Sequence, residues 1–209
     1  MIELPLPFTD EELAAQIRDT QALATIDGEV YIRVLVTRGI GELTYDPKAT
    51  PNPSFVVIVD VVRNHPESVN PMIKSNNLMN SALAMQEALR SDAFEGVMRN
   101  YRGELTECTT SNLFIVRNKV ALTPPLAAGL LPGITREFVF DIGKEIGVDI
   151  REQTLRDDDL FGADEAFLTS TTREAVPIVT VNDRTIGSGK PGPITWKLLN
   201  EIRRLAGAS

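Results

Sequence analysis

Between residues 94 and 123 the chain places four strand-length segments almost end to end, and this spacing limits the fold more than any other feature. Residues 94–98 lead through a turn at Asn100-Tyr101-Arg102-Gly103 to 104–109. Segment 113–116 follows, then a turn at Asn118 and segment 120–123. Such short connections favour antiparallel neighbours, because a parallel pair needs a crossover of a dozen or more residues. Segments of helical period flank this run. A helix is predicted over 77–91, with Leu78, Ala82, Met85 and Leu89 on one face. Another opens at Pro132-Gly133-Ile134-Thr135-Arg136, carries Phe138, Val139, Ile142 and Ile146, and stops at Gly147. Further strands are predicted at 148–151, 166–170 and 178–181, and a last helix starts at Pro193. The class is α+β, with mostly antiparallel strands and helices laid against them.

Nearer the N-terminus, Thr9-Asp10-Glu11-Glu12 is a capping-box pattern that starts a helix running to about residue 24. A strand is predicted at 30–37, a loop rich in Gly and Pro at 38–54, and a buried strand at 55–59. The polar, Pro-bounded stretch 63–71 is the expected domain boundary, giving a small α/β domain at 1–62 and a larger β-rich domain at 63–209. No internal repeat or low-complexity segment is present.

Composition removes several kinds of chemistry. The 209 residues hold 21 Lys+Arg against 29 Asp+Glu, a net charge of −8, which is no footprint for nucleic acid. One histidine, His65, and one cysteine, Cys108, exclude a disulfide framework, a Cys/His zinc site and a Cys-rich iron–sulfur site, so no metal is expected. A reactive centre must then use lysine, carboxylates or a borrowed cofactor. The opening Met1-Ile2-Glu3-Leu4-Pro5 has no basic or apolar leader character. The longest apolar run, 55–62, is interrupted by Asp60 and is too short for a bilayer. The expectation is a cytoplasmic protein with no membrane partner, its lone cysteine suited to a reducing interior.

Four features carry candidate chemistry, each with an ordinary alternative. Lys74, after two apolar residues and before a helix, suits a Schiff base if neighbours shield its amine; otherwise it is a solvated lysine. Glu107, among small hydroxyl residues between two strands, suits a proton held on a heterocyclic nitrogen; otherwise it is a surface acid. Gly133-Ile134-Thr135 offers first-turn N–H groups to an anion, or is an ordinary cap. Ser170-Thr171-Thr172-Arg173 places hydroxyls at a strand end, for a phosphate or carboxylate or for a simple turn. His65 reads as a solvated side chain, and Cys108 as a strand residue facing away from Glu107.

In combination these pieces form one string: Ile73-Lys74-Ser75, Gly103-Glu104-Leu105-Thr106-Glu107, Ser111-Asn112-Leu113-Phe114, Leu130-Leu131-Pro132-Gly133-Ile134-Thr135-Arg136, and Ala163-Asp164-Glu165-Ala166-Phe167-Leu168-Thr169. The string resembles the fold-type IV pyridoxal-phosphate enzymes: branched-chain aminotransferases, D-amino-acid aminotransferases and aminodeoxychorismate lyases. The resemblance implies pyridoxal 5′-phosphate as cofactor. It implies that Lys74 holds the cofactor and shuttles a proton, and that Glu107 bonds the pyridine nitrogen. Ile134, Thr135 and Thr171 would hold the phosphate, and Thr172 would help bind the substrate carboxylate. Tyr31-Ile32-Arg33 resembles the Tyr-x-Arg of branched-chain aminotransferases, which makes Tyr31 and Arg33 substrate residues. Thr37-Arg38-Gly39 is followed by Ile40-Gly41-Glu42-Leu43-Thr44, without the arginine of the D-amino-acid enzymes, while Leu78 stands where branched-chain enzymes usually carry tyrosine.

The implied reaction is transamination between an amino acid, foremost a branched-chain L-amino acid, and a 2-oxo acid such as 2-oxoglutarate, in a homodimer or higher homo-oligomer. The alternatives are pyruvate elimination from aminodeoxychorismate, D-amino-acid transamination, or a cofactor-poor fragment without activity. Set against the family, the chain is expected to lack a Gly-Asp-Gly turn, a phosphate-gripping arginine, and a strand's length after Val59. On that reading 1–62 is a remnant of the small domain.

Overall fold

The computed structural model describes residues 9, 11–12, 14–15, 18–19, 54–58, 61–65, 67, 70–74 and 77–206. The chain forms two compact units, residues 1–44 and 45–209. In the first, the Thr9 N–H donates to the Glu12 carboxylate at 2.8 Å and the Glu12 N–H donates to Thr9 Oγ1 at 3.2 Å, the reciprocal capping expected there. The strand expected at 30–37, with Tyr31 and Arg33, lies outside the described residues.

The second unit is built on one mixed sheet. Its strands are β1 (Ser54–Ile58), β2 (Glu95–Arg99), β3 (Leu105–Cys108), β4 (Asn112–Arg117), β5 (Val120–Thr123), β6 (Asp149–Glu152), β7 (Glu165–Ser170), β8 (Glu174–Val181) and β9 (Arg184–Thr185). The order is β3-β2-β1-β8-β7-β4-β5-β6, with β9 on β8. Four of the five antiparallel pairs, β2-β3, β4-β5, β7-β8 and β8-β9, are those that short turns dictate, and β4-β7 is a long-range pair. β4 and β5 meet at Arg117↔Val120 across Asn118 and Lys119, both at positive φ (51° and 66°), the geometry that matches the twist of a two-residue hairpin.

Five of the eight strand pairs among the described residues are antiparallel, the majority expected, and the structure adds to that reading on three points. Three pairs are parallel: β1 with β2, β1 with β8, and β5 with β6. The predicted helices themselves supply two of the crossovers, α1 (Met79–Arg90) between β1 and β2, and α2 (Ile134–Ile146) between β5 and β6. Next, β1 is hydrogen-bonded between β2 and β8, so this strand, expected in the smaller domain, forms part of the larger unit's sheet. Finally, β8 begins at Glu174 and runs through Pro177, four residues before the expected start. The short helix α3 (Asp157–Phe161) was not foreseen, whereas α4 (Pro193–Ala206) starts at the expected proline.

Two apolar layers follow from the period of two in β4. Leu113 and Ile115 face one layer with Val97, Leu105, Leu155, Leu160 and Leu168. Phe114 and Val116 face the other, against Val139 and Ile142 of α2 and Leu198, Leu199 and Ile202 of α4. Phe114 and Phe167 stack there at 4.9 Å. Each buried large side chain contributes about 1.5–3 kcal/mol of transfer free energy. With β4 buried on both faces, the turns at its ends are held firmly, and one of them borders the site.

Candidate active site

A cleft of about 580 Å³ opens where the Asn70–Lys74 turn, the end of β3, the start of α2 and the turn after β7 meet. That volume lies in the range that takes a small ligand. Lys74, Glu107, Ile134, Thr135, Thr171 and Thr172 all line it, so every site residue expected from the sequence and described by the structure reaches one cavity. Lys74 follows a turn made by Asn70, whose Oδ1 accepts the Met72 N–H at 3.0 Å and whose carbonyl accepts the Ile73 N–H at 3.2 Å. The Lys74 side chain is exposed in the single chain.

Glu107 is no surface acid: it is 6% exposed. The Arg63 guanidinium lies 2.8 Å from Glu107 Oε1, while Oε2 accepts the Leu131 N–H at 3.2 Å and Asn112 Nδ2–H at 3.3 Å. Burial pushes the carboxyl up to about 7, against the opposing pull of Arg63, the Leu131 N–H and the Lys74 charge. A buried carboxyl near 7 that feels the lysine's charge is what a cationic ring nitrogen would convert to a firm carboxylate.

The N-cap of α2 is Gly133, and no side chain caps the helix, so Thr135 does not serve as its own cap. The first-turn donors therefore face the cleft with the positive end of the helix dipole behind them. Gly133 sits hard against Asn112: a Cβ there would meet Asn112 Oδ1 at 2.1 Å. Asn112 also donates to the Leu131 carbonyl at 3.0 Å, so one side chain connects Glu107 to the segment leading into α2.

Sequence reasoning missed Arg63, although an arginine next to an apolar run was there to notice. Besides Glu107 it donates to Ser81 Oγ at 3.3 Å and to the Gly129 carbonyl at 3.4 Å. It also missed Thr169, whose buried hydroxyl finds no hydrogen-bond partner among the described residues and which lines the cleft. His65 is half-buried rather than solvated, its ring 4.4 Å from that of Tyr101. Cys108 turns into the core, where burial raises its thiol well above the ordinary range. Tyr31 and Arg33 lie outside the described residues.

Residues 1–181 match the family described as amino-transferase class IV. The chain belongs to that family. It is 34% identical, over 96% of its length and 75% of the other, to a putative branched-chain-amino-acid aminotransferase of Methanocaldococcus jannaschii. It is 31% identical, over 93% of its length and 73% of the other, to D-alanine aminotransferase of Bacillus licheniformis. Among solved structures, the branched-chain amino acid aminotransferase from Thermobaculum terrenum, in its PLP form, superposes with a TM-score of 0.72 at 30% identity. That match covers 74% of this chain and 51% of the other, so the matched part spans about half the length of that enzyme. The fold is thus that of the fold-type IV aminotransferases.

The cleft fits a pyridoxal phosphate. An orphaned Thr169 hydroxyl, an uncapped helix start and an acid with a raised pKa are a matched set for a hydroxylated pyridinium bearing a phosphate. Among the described residues no group of three or more His, Cys, Asp or Glu could hold a metal ion, and no helix is long and apolar enough to cross a membrane.

Proposed function

We propose that this chain catalyses pyridoxal 5′-phosphate-dependent transfer of an amino group from an amino acid, foremost a branched-chain L-amino acid, to a 2-oxo acid such as 2-oxoglutarate. The observation that carries this reading is the meeting of Lys74, buried Glu107 and the uncapped start of α2 in one cleft. When bound, the cofactor supplies an aldehyde that takes up the amino group and a ring that accepts electrons. Lys74 would anchor it covalently and then, freed, move the proton at the substrate Cα. Glu107 would keep a proton on the ring nitrogen. The N–H groups of Ile134 and Thr135, with the Thr171 hydroxyl, would hold the phosphate. Thr172 would take the substrate carboxylate, and Tyr31 and Arg33 stay proposed substrate residues on the strength of the Tyr-x-Arg pattern alone.

The exposed Met72, Ile73, Leu78 and Met79, next to Lys74, support a homodimer or higher homo-oligomer that covers them. In a cytoplasmic setting the buried Cys108 remains a thiol. The D-amino-acid reading is the less favoured one, because segment 40–44 carries no arginine to hold a D-substrate carboxylate.

A panel of donors tests the reading. Protein loaded with pyridoxal 5′-phosphate should convert 2-oxoglutarate to glutamate with L-leucine, L-isoleucine or L-valine, at kcat/KM at least about tenfold above that with D-alanine. Turnover with D-alanine alone, or pyruvate release from aminodeoxychorismate alone, would contradict it.

A further inference from the structure

A second cluster fastens the rim of the cleft. Glu95 opens β2 and is fully buried, and six donors converge on its carboxylate. Oε1 accepts the Gly96 N–H at 3.2 Å, the Thr109 N–H at 3.1 Å and the Thr109 hydroxyl. Oε2 accepts the Thr110 hydroxyl at 2.6 Å, the Ser111 hydroxyl at 3.4 Å and Arg173 Nη1–H at 3.4 Å. Arg173 Nη1 also donates to Thr110 Oγ1 at 3.4 Å, and its guanidinium lies 4.7 Å over the Phe94 ring.

Arg173 directly follows Thr171 and Thr172, and its own N–H donates to Ser170 Oγ at 3.2 Å. One carboxylate therefore fastens the turn at 109–111, after β3, to the turn at 171–173, between β7 and β8. Residues 109–111 and 169–172 line the cleft. The Thr109 and Thr110 hydroxyls give their protons to Glu95, so toward the cleft they present lone pairs only. Donors for an anion on this side of the cleft then include the start of α2, the unpartnered Thr169 hydroxyl, and Thr171 and Thr172. The placement of the 171–173 turn decides how well they reach it.

We propose that Glu95 and Arg173 are a positioning pair for the anion grip of the cleft, holding Thr171 and Thr172 where a phosphate or carboxylate meets them. This rests on the proposed roles of Lys74 and Thr171. Neither member of the pair touches the ligand. A carboxylate is acceptor-only and matches six donors, whereas Glu95→Gln turns an N–H₂ group toward donors and leaves some of them unpaired.

The test compares pyridoxal 5′-phosphate with pyridoxal, titrated by absorption into the wild-type chain and the variants Glu95→Gln, Arg173→Met and Arg173→Lys. Wild type should bind the phosphorylated aldehyde more tightly. Glu95→Gln and Arg173→Met should cut that advantage roughly tenfold while pyridoxal binding stays within about twofold, and Arg173→Lys should restore most of it. Inorganic phosphate binding to cofactor-free protein, read by calorimetry, should weaken in the same order. Arg173 is partly exposed, so Arg173→Met reads the same quantity even where Glu95→Gln fails to fold. An unchanged advantage, or equal weakening of both aldehydes, overturns the proposal. A wild-type chain that develops no absorption band with either aldehyde overturns the Lys74 reading, and the pair's role with it.

Discussion

Glu107 shows how one residue's environment sets its chemistry. Its carboxyl is pushed up from its ordinary 4.5 to about 7 by burial, with Arg63, the Leu131 N–H and Lys74 pulling the other way. Below pH 4.5 the folded and unfolded chains both hold the proton. Between that and 7 the unfolded chain releases it first, so stability falls as pH rises, by roughly 3 kcal/mol for a shift of this size. Urea unfolding of cofactor-free protein at about pH 5 and about pH 8 should therefore show a larger loss in wild type than in Glu107→Gln. Identical pH slopes would mean that Glu107 titrates normally. The sequence singled out Glu107 and Lys74, which line one cleft, because their motifs are local. It could not place Arg63 or Glu95, whose partners lie across strands: Arg63 is 44 positions from Glu107, and Glu95 is 78 from Arg173.

At the scale of elements, α4 shows how a helix that begins with proline is finished by another element. Its first-turn donors are met by Glu165 at the start of β7, whose carboxylate accepts the Ile194 N–H at 3.0 Å and both the N–H and hydroxyl of Thr195 at 2.8 Å. Gly192 leaves the space for it, since a Cβ there would lie 1.9 Å from the Glu165 carboxyl carbon. Glu165→Ala should destabilise the fold by about 2–3 kcal/mol, by leaving these donors without a partner, and denaturant midpoints measure it. A loss under about 0.5 kcal/mol, the size of an ordinary surface substitution, would show that water replaces the carboxylate. The predicted helices and hairpins were legible because their periods and turns are written locally. The parallel pairs were not, because which strand a crossover returns to depends on where the helix packs. The extension of β8 through Pro177 was hidden by the residue that usually ends a strand.

Over the whole molecule, the sheet carries its two apolar layers as a scaffold and gathers the reactive groups where turns from distant parts of the chain meet. Lys74 comes from the segment before α1, Glu107 from β3, and the proposed anion donors from α2 and the turn after β7. The antiparallel run read first in the sequence supplies two hairpins, β3-β2 at one edge of that scaffold and β4-β5 toward the other, and two helix-bearing crossovers complete it. Family membership follows from the match over residues 1–181, and the proposed site rests on six residues from four parts of the chain lining one cleft. The central claim is that Lys74 is the residue that takes the cofactor. Protein mixed with pyridoxal 5′-phosphate, reduced with borohydride and digested should carry the phosphopyridoxyl label on the peptide containing Lys74, with Lys74→Ala unlabelled. A label on any other lysine, or none, would contradict the account.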